Sequence, residues 1–150
     1  MTLVTDIPGL REHVGEHLGW TDWVEVTQER VDRFADATDD HQWIHVDRER
    51  AASSSWGGTI AHGYLTLSLV APMMRELLDV EGVSWGINYG LDRVRFPAPV
   101  PVGSRLRAGA ELVEVKDFPG GVQSKFVVTF ELEGGEKPAC VAEVLVRHYG

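Results

Sequence analysis

With 150 residues and a formal net charge of −9, the chain suits one globular domain, and we interpret residues 1–150 as a single domain. The acidic excess argues against a nucleic-acid partner, because binding to a phosphate backbone needs clustered Lys and Arg. The single cysteine, Cys140, excludes an intrachain disulfide and a CxxC metal site, and its strand-like surroundings predict an inert core thiol.

No segment has the pattern of a membrane span or of a secretory signal. The first residues lack a basic region followed by an apolar stretch. The longest apolar stretch, from Tyr64 to Met74, is interrupted by Thr66, Ser68 and Pro72 and is shorter than the roughly 20 residues that a spanning helix needs. We therefore expect a cytoplasmic protein with no membrane partner.

The first part of the chain alternates short helix-like and strand-like patterns. Residues 8–19 have the pattern of a short helix with interspersed glycines, and residues 20–26 that of a first strand. Thr27 is a good N-cap for a helix that reaches Ala37, and Asp47 is one for a shorter helix.

A long apolar helix is predicted next, over about residues 62–78. Leucine and methionine residues repeat at i, i+4 from Leu65 to Leu77, and further apolar residues widen the stripe almost all round, as in a buried helix. Pro72 lies in its interior and predicts a kink, because proline removes one backbone hydrogen bond.

After Gly82 the pattern changes to strands joined by tight turns. Since tight turns favour antiparallel pairing, the sequence predicts an α+β fold in which an antiparallel sheet wraps around the long central helix. Such a sheet covers only part of the helix and leaves edges that need protection, so we expect a homodimer. The four strand-like segments are residues 83–96, 105–115, 122–132 and 139–149.

The segment between the first helix and the long helix carries the chemistry. Asp40 and His45 are five residues apart in a polar stretch, and Ala61-His62-Gly63 precedes the long helix. A carboxylate and an imidazole that hold one water can take its proton and return a proton to a neighbouring carbon, which contributes roughly 10²–10⁴-fold to a rate. The first amides of a buried helix have no intrahelical acceptor and can polarise a carbonyl oxygen. We therefore predict chemistry on a carbonyl compound, with His62 and Gly63 as the oxyanion site.

This segment also resembles a known motif. An aromatic residue at Phe34, the Asp40 to His45 spacing with an aliphatic residue before the histidine, and a small residue at Ala51 match the signature of the MaoC-like dehydratases, also called (R)-specific enoyl-CoA hydratases. Three positions depart from that signature, and they resemble the NodN-like branch of the family. These are Asp39 in place of Gly, Gln42 in place of Asn and Trp43 in place of Pro.

Two further motifs agree with the resemblance, which covers about residues 20–150. The turn at 61–63 is similar to the family's Ala-His-Gly turn, and residues 88–100, which begin Asn-Tyr-Gly, are similar to its strand motif. The resemblance implies the hotdog fold and reversible hydration of a trans-2-enoyl-CoA to an (R)-3-hydroxyacyl-CoA, without a cofactor. It further implies that Asp40 is the base, that His45 binds the same water and that the Gly63 amide holds the thioester oxygen.

Each candidate site residue also has a purely structural interpretation. Asp40 could be a solvated loop carboxylate, His45 a hydrogen-bonded core histidine, and His62 a residue that only starts the helix. Asn88 is either a substrate-binding residue or a structural residue of its strand. Arg93 and Arg95, which the alternation puts on one face of that strand, could pair with acidic neighbours or reach a CoA phosphate.

Rival functions use the same side chains. A metal site with Asp40, His41 and His45 as ligands lacks a spacing for further ligands, so we expect no metal. A hotdog acyl-CoA thioesterase would direct water at the thioester carbon instead of the double bond, and a non-catalytic acyl-binding module would keep the fold without the reaction. The sequence leaves open the acyl-chain length, the choice between CoA and an acyl carrier protein, and the place in fatty acid metabolism.

Overall fold

The computed structural model describes residues 1–150, and its first part consists of short elements around one amphipathic helix, α2. Thr27 caps α2, because its hydroxyl accepts from the Arg30 amide at 3.1 Å, and Asp47 caps α4 in the same way. Both predicted caps are therefore confirmed. In chain order the elements are β1 (Leu3–Asp6), α1 (Ile7–Leu10), a 3₁₀ turn (Arg11–His13), β2 (His17–Trp20), β3 (Val24–Glu25), α2 (Gln28–Thr38), α3 (Trp43–Val46) and α4 (Arg48–Ala52).

The predicted helix over residues 8–19 is wrong. Only Ile7–Leu10 and the following 3₁₀ turn are helical, and His17–Trp20 is a strand that pairs with β6, a long strand over Arg105–Phe118. Gly15 and Gly19 adopt positive φ angles of 93° and 104°, which a continuing helix does not allow. Pairing with a long strand therefore overrides the weak helical pattern.

The central helix is present but divided into two segments, α5 (Gly63–Ser68) and α6 (Val70–Leu77). The break falls at Leu69, three residues before Pro72. The proline ring lacks an N–H and crowds the carbonyl four residues earlier, so the backbone hydrogen bonding is disturbed at that point. The predicted single helix is thus two short ones, divided close to Pro72, and the bend between them stays a prediction.

The second half of the chain forms the main sheet, as the strand-like segments predicted. Its strands follow the order β2, β6, β7, β8, β5, with β3 also paired to β6, and all of these pairs are antiparallel. A short strand that the sequence did not predict, β4, pairs in parallel with β1 in a separate two-stranded sheet. The strands after α6 are β4 (Leu78–Glu81), β5 (Trp85–Arg95), β6 (Arg105–Phe118), β7 (Gly121–Leu132) and β8 (Cys140–Tyr149).

The core lies between the inner face of this sheet and the central helix. Alternate residues of β6, β7 and β8 are buried, as expected for strands with one face against a helix. On the helix side Met73 and Leu77 are 3% and 2% exposed, and each side chain buried in this way contributes about 1.5–3 kcal/mol. The sheet residues that meet them include Leu106, Ala108, Phe126, Val128, Phe130, Cys140 and Ala142.

Candidate active site

His45 lies in the short helix α3 and is 7% exposed. Its Nδ1 is 2.7 Å from the Ile60 carbonyl oxygen, so Nδ1 carries the proton and donates, and Nε2 is left as an acceptor. Burial lowers the pKa of His45, His62 lowers it further, and the Ile60 hydrogen bond and Asp40 partly counter the shift. The ring is therefore neutral near pH 7, with one nitrogen able to accept a proton from water.

Asp40 lies two residues after the end of α2. The residue between them, Asp39, is the C-cap, and its φ of 60° lies in the left-handed region that glycine favours and that Asp tolerates. This conformation explains why the family signature has glycine at this position and why Asp39 can replace it. The Asp40 side chain is exposed, and its Oδ1 accepts from the Gln42 amide at 3.3 Å.

His62 connects the two parts of the site. It is 3% exposed, its Nε2 donates to the Asp40 carbonyl oxygen at 2.9 Å, and its ring stacks on His45 with centroids 3.8 Å apart and planes at 22°. Phe34 packs on the same imidazole at 4.8 Å. The structure thus brings together three predicted residues, although the sequence interpretation gave His62 a different partner, the substrate oxygen.

Asp40, His45 and His62 form a compact cluster. One side-chain nitrogen or oxygen of each lies within 4.8 Å of those of the other two. His41, the third ligand of the metal site considered from the sequence, instead bonds Asp36 at 2.9 Å, and that contact raises its pKa. The absence of a metal stays a prediction. The acid–base chemistry predicted from the sequence does not need a metal ion bound to Asp40, His45 or His62.

Gly63 begins α5 directly after His62. The His62 side chain makes no capping bond, so the amides of Gly63 and Tyr64 have neither an intrahelical acceptor nor a side-chain acceptor at the N-cap. A Cβ at Gly63 would be 3.3 Å from the Phe96 ring, so a larger residue would push against that ring. Because the glycine has no side chain, the Phe96 ring can pack close to the backbone here.

Asn88 is not part of this cluster. It lies on β5 in the wall of a separate groove between the central helix and the sheet. Arg93 and Arg95 are exposed on the same strand, and the ion pair in this region joins Asp92 to Lys125 at 2.6 Å instead. Contacts of Asn88, Arg93 and Arg95 with the substrate therefore stay predictions.

Sequence reasoning missed the groups that hold His45 in place. Gln28, 8% exposed in the first turn of α2, donates through Nε2 to the His45 carbonyl at 2.8 Å and to Asp32 at 2.9 Å. Its Oε1 accepts from the Thr59 hydroxyl at 2.6 Å. A glutamine after an N-cap has no sequence signal for such a role, because its partners are 17 and 31 residues away.

A sheet wrapped around a central helix defines a hotdog-fold protein, and here an imidazole and a carboxylate lie close to the start of that helix. Comparison with known proteins agrees. The model of the MaoC like domain matches residues 10–131, and the chain belongs to that family. With its full-length likeness to a dehydratase, it is an enzyme, a hydro-lyase.

Two relatives and one solved structure show the extent of the likeness. The chain is 54% identical over 149 residues to 3-hydroxyacyl-thioester dehydratase Z of Mycobacterium tuberculosis, with 99% of each chain covered. It is 46% identical to nodulation protein N of Rhizobium leguminosarum bv. viciae, covering 93% of this chain and 86% of that one. The R-hydratase PhaJ1 from Pseudomonas aeruginosa shares its fold, with a TM-score of 0.76, 23% identity, and 96% and 86% of the two chains covered.

None of the helices combines the length and the hydropathy that a membrane-spanning segment requires.

Proposed function

We propose that the protein is an (R)-specific hydratase that interconverts trans-2-enoyl and (R)-3-hydroxyacyl thioesters, carried on CoA or on an acyl carrier protein. The observation that carries the proposal is the cluster of Asp40, His45 and His62 directly before the amide of Gly63. A relative that covers 99% of this chain is itself named a 3-hydroxyacyl-thioester dehydratase, which supports the same thioester class.

In the hydration direction, one water is held between the Asp40 carboxylate and the unprotonated Nε2 of His45. Its oxygen forms a bond to C3 of the enoyl group while Asp40 takes one of its protons. The electron pair of the double bond moves toward C2 and the thioester oxygen, and C2 then receives a proton from the Asp40–His45 pair. Atoms and charge balance, because the pair returns the proton it took, and dehydration runs the same steps in reverse.

The negative charge that develops on the thioester oxygen needs a donor. The Gly63 amide supplies one, at a helix start where the N-cap side chain makes no competing bond. Removing one such donor costs a comparable enzyme roughly 10²–10³-fold in rate. His62, whose Nε2 is engaged by the Asp40 carbonyl, does not donate to this oxygen in our proposal. It positions the catalytic pair instead.

The deciding experiment incubates the purified protein with crotonyl-CoA and follows two signals. Hydration removes the enoyl absorbance without releasing thiol, whereas a thioesterase releases free thiol. We expect loss of absorbance in the wild type and at least a 10²-fold lower rate in Asp40→Asn and His45→Gln variants that fold normally. Thiol release, or full activity in either variant, would contradict the proposal. Chiral analysis of the product tests the (R) configuration.

We also propose that the active form is a homodimer joined along β5. This strand is the last of the main sheet, and its outer edge has no partner. It exposes large apolar side chains, which a soluble monomer rarely presents in a continuous row. They are Trp85, Ile87, Tyr89 and Leu91, each 42% to 57% exposed.

A further inference from the structure

The main chain of Gln42 joins the two members of the proposed catalytic pair. Its amide donates to Oδ1 of Asp40 at 3.3 Å, and its carbonyl oxygen accepts from the amide of His45 at 3.0 Å. Gln42 is exposed, and its side chain makes no capping bond to the following helix α3. The placement of the carboxylate relative to the imidazole therefore depends on how firmly the backbone at residues 42 and 43 is held.

Helix α3 cannot hold this backbone by itself. It has four residues, and isolated helices shorter than about 12–15 residues are marginal in water. The order of α3 must therefore come from contacts with its surroundings. At His45 these are the bond from its ring to Ile60 and the bond from Gln28 to its carbonyl. Neither bond involves Trp43, the first residue of α3, so that end of the helix depends on a different contact.

Trp43 is held from the neighbouring helix α4. The guanidinium carbon of Arg50 lies 4.3 Å from the centroid of the Trp43 ring, within the range of a cation–π interaction. Asp47 lies between the two helices and adds two hydrogen bonds. Its amide donates to the Trp43 carbonyl at 3.0 Å, and its carboxylate accepts from the Arg50 amide at 3.1 Å. These three contacts form a closed loop, and the fully buried Ala51 of α4 anchors the loop to the protein interior.

The guanidinium of Arg50 contacts this ring and not a carboxylate. Other arginines pair with glutamates on the protein surface, but Arg50 takes part in no ion pair. Tryptophan is the aromatic side chain that attracts a cation most strongly. Arg48, which is also exposed and also belongs to α4, lies over no ring and provides an internal comparison.

The position of Trp43 in its helix points the same way. It is the first residue of α3, where the family signature has proline. Proline suits that position because its ring presets the backbone φ angle. Tryptophan has no such ring, so the backbone between Asp40 and His45 lacks this intrinsic restraint. The contact with Arg50 supplies an external restraint in its place.

We infer that Arg50 is a positioning residue for the proposed reaction, because its contact with the Trp43 ring fixes the backbone that sets Asp40 against His45. This inference rests on the proposed function. Arg50 is absent from the groups that influence the pKa of His45, which burial lowers. Its effect on catalysis therefore comes through geometry, and it should appear in kcat and not in KM.

The first experiment compares Arg50→Ala with the matched control Arg48→Ala in steady-state kinetics with an enoyl-CoA. A displacement of about 1 Å can cost on the order of 10²-fold in rate, and losing one of several contacts displaces the segment less, so we expect kcat to fall about 10-fold in Arg50→Ala. KM and the acidic limb of the pH profile should match the wild type. Arg50→Lys keeps a cation for the ring and should recover part of kcat. Arg48→Ala should match the wild type in every parameter.

A double-mutant cycle tests the route through Trp43. In Trp43→Leu, which has no aromatic face, adding Arg50→Ala should have no further effect on kcat. Independent effects, which multiply in the double variant, would overturn the inference. If Trp43→Leu does not fold, Trp43→Phe replaces it. There Arg50→Ala should cost less than in the wild type, because phenylalanine attracts a cation more weakly than tryptophan.

Amide hydrogen exchange gives a readout that does not depend on activity. The Asp47 amide, bonded to the Trp43 carbonyl, should exchange about 2- to 5-fold faster in Arg50→Ala than in the wild type, the factor that one exposed cation–π contact contributes. Arg48→Ala should leave this rate unchanged. Equal exchange in Arg50→Ala and the wild type would overturn the inference.

The outcomes separate this inference from the proposed function. No hydration of any enoyl thioester would contradict the proposed function, and the exchange measurement would still decide whether Arg50 restrains the segment. Hydration by the wild type with unchanged kcat in folded Arg50→Ala would overturn the inference and leave the proposed function intact. A raised KM at unchanged kcat would also overturn it, because that result assigns Arg50 to substrate binding.

Discussion

The imidazole of His62 stacks on that of His45, with ring centroids 3.8 Å apart, while its Nε2 donates to the Asp40 carbonyl. One buried side chain at the start of the central helix therefore contacts both members of the proposed catalytic pair. The water-binding groups and the proposed carbonyl-binding amide of Gly63 are held together through this contact, because Gly63 is the next residue in the chain. A small shift of His62 would move both halves of the site relative to each other.

Replacing His62 should consequently lower kcat more than it changes KM. His62→Phe keeps a ring on His45 but loses the bond to the Asp40 carbonyl, and His62→Gln keeps an amide donor but loses the stack. A misplacement of about 1 Å can cost on the order of 10²-fold in rate, and we expect a loss of this size in each variant. Steady-state kinetics with an enoyl-CoA checks it, with His17→Gln as the control. Unchanged kcat in a folded His62→Phe variant would contradict the positioning role.

The lowered pKa of His45 predicts how activity depends on pH. Because burial disfavours the charged ring, the neutral form, whose Nε2 accepts a hydrogen bond from the proposed water, persists below pH 6.5. The acidic limb of the kcat/KM profile that reports His45 should therefore lie below pH 6.5. NMR titration of the ring checks the assignment. In Asp40→Asn the His45 pKa should fall further, since the Asp40 charge raises it in the wild type.

The same shift has a consequence for stability. Below pH 6.5 the unfolded chain binds a proton at His45 while the folded protein resists it, so the free energy of unfolding decreases as pH falls from 6.5 toward the lowered pKa. The lowered pKa of His148 acts in the same direction. Urea unfolding at several pH values should show a smaller dependence in His148→Phe than in the wild type over this window. An equal slope in both proteins would mean that His148 titrates alike in the folded and unfolded states.

The proximity of Asp40 and His45 could be predicted from the sequence because they belong to one short segment with a recognisable spacing, and their catalytic roles stay predictions. The buried helix and its interruption near Pro72 could also be predicted, since apolar periodicity and a proline are local signals. The contacts of His62 could not be predicted, because its stacking on His45 depends on α3 packing against the segment at Ile60, whose carbonyl accepts a hydrogen bond from His45. The helix predicted over residues 8–19 failed for a related reason, as pairing of β2 with β6 has no local signal.

Disrupting the edge of β5 should separate the proposed dimer. Ile87 is 45% exposed there, and a lysine in its place would put a charge against the partner strand, as natural sheet edges do to prevent pairing. Size-exclusion chromatography with light scattering should show a dimer for the wild type and more monomer for Ile87→Lys. Val4→Lys, at an apolar position on β1 that is 55% exposed, is the matched control. A monomeric wild type would contradict the dimer.

Cys140 should be chemically inert in the folded protein. The thiol is fully buried in β8, and burial raises its pKa to about 12, so almost no thiolate is present at neutral pH. We expect no alkylation by iodoacetamide under native conditions, full reaction in urea, and normal hydratase activity after native treatment. Mass spectrometry measures the modification directly. Rapid native labelling would show that β8 opens or that the thiol is activated.

Gln28 should matter for stability and catalysis together. Its side chain bonds the His45 carbonyl, Asp32 and the Thr59 hydroxyl in a largely buried setting, so Gln28→Ala leaves the His45 and Thr59 groups without partners. Each unmade buried bond costs about 1–3 kcal/mol, and we expect the free energy of unfolding to fall by at least that amount in urea titrations. Because one of the freed groups is the backbone of His45, kcat should also fall. Gln123→Ala is the matched control, since Gln123 accepts a hydrogen bond from Arg147 on the sheet, away from the cluster. Equal effects of the two substitutions on kcat would show that Gln28 acts through general stability and not through the placement of His45.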